Sequence, residues 1–184
     1  IEFMFPMGWG ELWGIADRTD YDLTVHSNHS KNELKYLDSE TNEKYTPYVI
    51  EPSVGCDRLT LAVLCDAYNE ETLEDGSIRE VMKLSPALAP YKVAVLPLVK
   101  KFHKEKAEEI YRMLSKHFMC TYDETGNIGK RYRREDAIGT PFCITIDDET
   151  INNGVVTVRD RDTMAQITLN VDEIVDYIND EIEF

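Results

Sequence analysis

The chain has 184 residues, 42% of them hydrophobic, and sets 35 acidic side chains against 20 basic ones for a formal charge of −15. That is enough apolar material for one large domain or two small ones, and too much negative charge for a protein that coats nucleic acid unspecifically, because phosphate would be repelled over most of the surface. No apolar run is long enough to span a bilayer, the N-terminal "IEFMFPMGWGELWG" lacks the basic start of a secretory signal, and Cys56, Cys65, Cys120 and Cys143 form no CxxC pair, a pattern expected of reduced thiols in a cytoplasmic protein with no membrane partner.

In chain order, "IEFMFPMGWGELWGIADR" is rich in aromatics and glycine and reads as strand, turn, strand, with Trp9 and Trp13 expected in the core. It opens inside a strand without an initiator Met, so the chain is expected to be a fragment of a longer protein. His26–Thr46 is polar and reads as a long loop or irregular hairpin. Tyr48–Glu51 has the look of a short buried strand, and Leu59, Ala62, Val63 and Ala67 recur at helical spacing just after it. "NEETLEDGSIREVMKL" is an acidic surface turn. Two prolines in Ser85–Pro90 make a connector between two unlike halves. Residues 1–85 carry 7 basic and 17 acidic side chains, and residues 86–184 carry 13 and 18, so most of the positive charge lies in the second half.

The second half alternates. Lys92–Leu98 reads as a strand, Phe102–Phe118 as a helix with Ala107, Ile110, Tyr111, Leu114 and Phe118 on one stripe, and Met119–Tyr122 as a short strand. A turn and a basic helix follow in "TGNIGKRYRREDAIG". Phe142–Ile146, Val155–Arg159 and Gln166–Leu169 read as strands, and Val171, Ile174, Val175 and Ile178 mark a closing amphipathic helix. Strands alternating with helices predict a layered α/β domain with a largely parallel sheet.

Between the two expected elements near Tyr48 and Leu59 stand a carboxylate (Glu51), a hydroxyl (Ser53) and a guanidinium (Arg58). A carboxylate at a strand end holds an ammonium group, a nearby hydroxyl completes that contact, and an arginine in the first turn of a helix meets phosphate with help from the helix end. Amine and phosphate side by side suggest an amino acid beside a nucleotide. On the residues alone, an ordinary strand–turn–helix with a solvated Glu and a surface Arg accounts for the stretch as well, and is the commoner arrangement.

The stretch "VIEPSVGCDRLTLAVL" resembles the third signature motif of class II aminoacyl-tRNA synthetases, in the version found in glycyl-tRNA synthetase. "GWGELWGIADRTDYDLTVH" upstream and "LAPYKVAVLPL", "GNIGKRYRREDAIGTPF" and "TVRDRDTMAQI" downstream resemble the same family in the same order. The resemblance covers nearly the whole chain and is closest to the dimeric form with a C-terminal anticodon-binding domain. It implies that residues 1–85 end an antiparallel-sheet catalytic domain and that residues 86–184 are an α/β anticodon-binding domain with a mostly parallel sheet. It also implies a ligase of protein biosynthesis that joins glycine to tRNA-Gly through a glycyl-adenylate formed from ATP with Mg²⁺, as a cytoplasmic homodimer.

Residue by residue, the resemblance matches Glu51 and Ser53 to positions that bind the glycine ammonium, with Pro52, Val54 and Gly55 lining the same pocket. Arg58 matches the arginine on the ATP phosphates, with Gly55, Cys56 and Asp57 at the nucleotide edge. Glu11 and Leu12 match an ATP-contacting pair, with Glu11 as acidic partner of Mg²⁺-ATP, and Arg18 matches an arginine near the glycine carboxylate. The first and second class II motifs are not in this sequence, so the chain alone is expected to be inactive. The rival expectation is a non-catalytic, synthetase-like RNA-binding or accessory subunit.

In an acidic chain, RNA contact must run through a local basic surface. The run Lys130, Arg131, Arg133, Arg134 is the most concentrated, and helical geometry puts Lys130, Arg133 and Arg134 on one side, towards the tRNA, with Arg131 elsewhere. "RDRD" at Arg159–Asp162 reads as a self-neutralising turn, and the resemblance places it near the anticodon face. His26 and His29 sit three apart without a third ligand at suitable spacing, so no zinc is expected. Cys56 has no activating histidine near it in sequence and reads as a small packing residue.

Overall fold

The computed structural model describes residues 1–182, in two compact units, Ile1–Cys65 and a second beginning at Asp66.

In the first unit, β1 (Glu2–Phe5) and β2 (Gly8–Glu11) form a tight antiparallel hairpin whose return is made by Gly8 at φ 112°, a backbone open to glycine and strained for other residues. β3 (Trp13–Asp17) pairs antiparallel with β6 (Ile50–Val54), in register Gly14↔Ser53 and Ala16↔Glu51. Between them, α1 (Tyr21–Ser30) and the two-residue strands β4 (Tyr36–Leu37) and β5 (Lys44–Tyr45) occupy the stretch expected to be loop or hairpin. The expectation missed α1 because the helix buries no side chain and so has no apolar period. Ser30 Oγ donates to the His26 carbonyl, and Lys31 closes the helix in the left-handed region at φ 59°. α2 (Cys56–Ala67) follows β6 directly.

Two expectations for this unit are corrected. β6 is displaced to Ile50–Val54 and is exposed along its whole length. Trp9 is 69% exposed and Trp13 is exposed as well, so neither tryptophan is core. Phe5 and Ala62 are the unit's fully buried apolar side chains among the described residues. Apolar composition states that a residue gains from burial; it does not state that its own unit supplies the cover.

The second unit opens with the hairpin of β7 (Tyr68–Thr72) and β8 (Ile78–Met82). Its compact boundary precedes the connector at Ser85–Pro90 because β8 turns Arg79 and Val81 inward, and Arg79 ends on Asp136 far along the chain. The connector is held by Lys92, whose ammonium donates to the carbonyls of Pro86, Ala87 and Ala89 at 2.7–2.9 Å, while desolvation holds its pKa below the usual lysine range.

Five strands form the main sheet in the order β10 (Cys120–Tyr122), β9 (Val93–Pro97), β11 (Phe142–Ile146), β12 (Val155–Asp160), β13 (Gln166–Asn170). β10, β9 and β11 run parallel, and β12 and β13 are antiparallel, so the sheet is mixed with a parallel half. α3 (Lys100–Leu114) and α4 (Ile128–Ile138) are the crossovers that parallel pairing needs, whereas the six-residue α5 (Asp148–Asn153) and a tight turn return β12 and β13 antiparallel.

Val93 and Val95 face a core with Ala107, Ile110 and Leu114 of α3 and Ile174 and Ile178 of α6 (Ile174–Ile182). Ala94, Leu96 and Cys143 face the other way, against Ile128 and Tyr132 of α4. A strand covered on both faces reads as an unbroken apolar run, which is why "KVAVLP" was legible.

Candidate functional site

Strand pairing fixes the first cluster. Glu51 and Ser53 are two apart on β6 and share a face, and their partners Ala16 and Gly14 on β3 share it too. Both partners are small, so no side chain larger than a methyl group stands opposite the carboxylate and the hydroxyl. The approach is close at Gly14: a Cβ built there would lie 3.1 Å from Ser53 Oγ and 3.6 Å from Glu11 Oε1. Arg18, two residues beyond Ala16, reaches back with Nη1 3.2 Å from Glu51 Oε2. It also forks onto both carboxylate oxygens of Asp22 in the first turn of α1, which raises the guanidinium's pKa and lowers that of Asp22. Pro52 and Val54 alternate onto the opposite face with Trp13, Ile15 and Ile50.

The chain leaves β6 through Gly55, whose carbonyl accepts from Leu59 N to close the first turn of α2. Cys56 is exposed at the helix start, and Asp57 beside it complements the positive end of the helix dipole. Arg58 donates through Nη1 to the Glu11 carbonyl, and its guanidinium lies 5.8 Å from the centre of the Phe5 ring. Glu11 itself ends β2 and is exposed, and Leu12 carries the chain on into β3. Glu11, Arg18, Glu51, Ser53 and Arg58 therefore gather within one small unit. Among the described residues no group of three or more His, Cys, Asp or Glu side chains is arranged to hold a metal. A single carboxylate is nonetheless the donor set that suits Mg²⁺ carried by a nucleotide, since such an ion takes one or two carboxylates and completes its shell with phosphate and water.

The second cluster is α4. Asn127 caps it, accepting from Lys130 N at 2.9 Å. Arg131 turns inward and donates to the carbonyls of Pro97 and Gly126, as helical spacing predicts for the residue that faces elsewhere. The other three sit in different surroundings. Lys130 is exposed, and Arg134 is tied to Asp123 and to the Thr125 carbonyl. Arg133 is half-buried in a recess lined by Glu70, Ser77, Glu80 and Ala137, against the hairpin.

Sequence reasoning missed the buried charge network beside this helix. Asp136, fully buried, accepts from Arg79 Nε at 2.8 Å and from Arg159 at 2.8 and 3.2 Å. Arg79 also meets Glu71 at 2.6 Å. Arg161 donates to the carbonyls of Gly139 and Leu84, so both arginines of "RDRD" are structural. The signal available was Arg79 in the inward register of "IREVM", alternating with Val81.

Residues 92–181 match the family described as anticodon binding domain. Across all 184 residues the chain is 64% identical to a glycine–tRNA ligase of Clostridium tetani and 62% identical to one of Geobacillus thermodenitrificans. Over its whole length the chain is similar to part of these glycine–tRNA ligases. It spans about 40% of the length of these curated relatives. Among solved structures, the RNA binding domain of threonyl-tRNA synthetase from Cryptosporidium parvum matches with a TM-score of 0.71 at 19% identity, over 98% of this chain and 41% of that one, a likeness of fold. The family-matched segment begins at the parallel sheet, and the clusters on β3, β6 and α2 lie before it. No helix among the described residues is long and apolar enough to cross a membrane.

Proposed function

We propose that the protein to which this chain belongs is a cytoplasmic, homodimeric ligase that joins glycine to tRNA-Gly by way of a glycyl-adenylate. Residues 1–85 contribute to the adenylation site and residues 86–184 bind the anticodon arm. The observation that carries the reading is one strand face on which Glu51 and Ser53 stand opposite the small residues Ala16 and Gly14, with Arg18 paired to Glu51.

Glycine is a zwitterion without a side chain. An enzyme selects it by its two charged ends and by leaving no room for a methyl group. The Arg18–Glu51 pair offers opposite charges 3.2 Å apart, with Glu51 and Ser53 for the ammonium and Arg18 for the carboxylate. Pro52, Val54 and Gly55 form the backbone wall. A missing methylene is worth only about 1–3 kcal/mol in an open pocket, so steric exclusion of a methyl group is the stronger discriminator. Arg58 takes ATP phosphate at the start of α2, with Gly55, Cys56 and Asp57 at the nucleotide's edge and Glu11 and Leu12 across from them. Mg²⁺ bound with ATP supplies neutralisation of phosphate charge, and Glu11 is the carboxylate that would hold it.

The glycine carboxylate attacks the α-phosphorus and pyrophosphate leaves. The terminal ribose hydroxyl of the tRNA then takes the glycyl group and AMP departs. The residues position and stabilise charge, and none becomes a covalent intermediate. Lys130, Arg133 and Arg134 are the proposed tRNA contacts on α4.

The test uses the full-length protein. Glu51→Gln should raise the KM for glycine far more than that for ATP, since a lost charged hydrogen bond costs about 1.5–3 kcal/mol, and Arg58→Ala should do the reverse. Equal effects on both substrates would sink the division of roles. The 184-residue chain alone should show no glycine-dependent ATP–pyrophosphate exchange.

A further inference from the structure

Lys100, Lys101 and Lys104 crowd the first turns of α3, and the helix has no acidic residue in its first turn. Cations there oppose the helix dipole, so the sequence gives up stability at this point. Beside them Leu98, Val99 and Phe102 are all exposed, Phe102 at 63%. Lys101 Nζ lies 5.4 Å from the centre of the Phe102 ring. Lys100 and Lys104 both reach Glu124, at 2.5 and 3.7 Å, and the preceding residue, Asp123, holds Arg134 of α4. The loop after β10 thus joins the lysines of α3 to the basic side of α4 at the carboxyl ends of the parallel strands, the edge where open α/β sheets take their ligands.

We propose that the start of α3 is a stacking platform for single-stranded RNA: Phe102 receives one unpaired base, and Lys101, with Lys100 and Lys104, takes the adjoining phosphates. An aromatic face accepts any base, and ammonium groups on flexible stems follow a backbone of changing path, which is the chemistry of a looped strand. Three lysines, two of them paired with Glu124, stand beside exposed apolar side chains within a chain of net charge −15, a mixture that suits a polyanion with flat apolar faces. The inference rests on the tRNA-binding reading above and extends its surface from α4 to α3.

The experiment is a titration of the full-length protein with a tRNA transcript carrying the glycine anticodon, over a range of salt. Phe102→Ala should weaken binding roughly five- to hundred-fold. Phe102→Trp should keep the affinity of the unaltered protein and lose indole emission as RNA binds. Lys101→Gln should lower the slope of log affinity against log salt by about one and leave the melting temperature level or raised, because a cation opposing the dipole is gone. If the unaltered protein binds the transcript and Phe102→Ala binds equally well, with no change in the emission of Phe102→Trp, the platform is refuted and the tRNA reading stands. If the unaltered protein does not bind the transcript saturably, both fall.

Discussion

The paired strands β3 and β6 and the parallel strands β9 and β11 are built from similar apolar residues, yet they end in opposite states. On β9 and β11 every residue is buried, because α3 and α6 cover one face and α4 covers the other. On β3 and β6, Trp13, Ile15, Ile50 and Val54 form a continuous apolar face and all four are exposed. Hydrophobic burial contributes about 25 cal/mol per Å² of apolar surface removed from water. The second unit collects that contribution from its own helices. The first does not, and we propose that its apolar face packs against other parts of the full-length protein, whose relatives are two and a half times longer.

The largest effect that would test this contrast is folding itself. Residues 66–184 alone should melt in one cooperative transition. Residues 1–65 alone should show none and should bind a hydrophobic dye. A cooperative melt of the short piece would remove the contrast.

Next in size is the buried network. Asp136→Ala leaves Arg79 and Arg159 without a counter-charge and should cost about 3–5 kcal/mol in a urea titration of residues 66–184. In the first unit, Asp22→Ala breaks an exposed pair with Arg18 and should leave stability unchanged within error. A smaller step comes from apolar truncation. Ile144→Ala should cost about 2–5 kcal/mol, whereas Ile15→Ala in the isolated 184-residue chain should change stability by less than about 0.5 kcal/mol. Equal costs would mean that the exposed face is not open.

The smallest effect is pH-dependent. Burial pushes the pKa of Glu135 above the usual carboxylate range, although Thr140 Oγ1 donates to it at 2.7 Å. An acid with a raised folded-state pKa binds its proton more tightly folded than unfolded. Stability is therefore fully present below the ordinary carboxylate range and is lost as pH rises towards the folded-state value. Glu135→Gln keeps an acceptor for Thr140 and removes the charge. It should melt higher than the unaltered chain at neutral pH, with the gain fading below about pH 4.5. A gain that does not change with pH would contradict this account.

The legible parts were those with an unbroken apolar run or a period. The all-apolar β9 and β11 could be read because both faces are covered, and the stripe Ala107, Ile110, Leu114 because burial recurs at three to four residues. α1 buries nothing and α5 is one and a half turns long, so neither leaves a pattern, and α5 is held by a capping box between Asp147 and Thr150. In the candidate site, Glu51 and Ser53 were legible as two residues on one strand face. Gly14 and Ala16 opposite them were not, because register is set between strands 37 residues apart in the chain.

The sequence by itself determined the order of strands and helices from Lys92 onwards apart from α5, the apolar faces of α3 and α6, and the grouping of Glu51, Ser53 and Arg58 around one turn. Those are local properties, carried by spacing along the chain. Tertiary structure alone decided what each arginine does. Arg131, Arg133 and Arg134 are near neighbours with the same charge, yet one is buried on two carbonyls, one lies against the hairpin and one is bound to an aspartate. A guanidinium takes its role from the acceptors that packing brings within about 3 Å of it, and those acceptors come from elements distant in sequence.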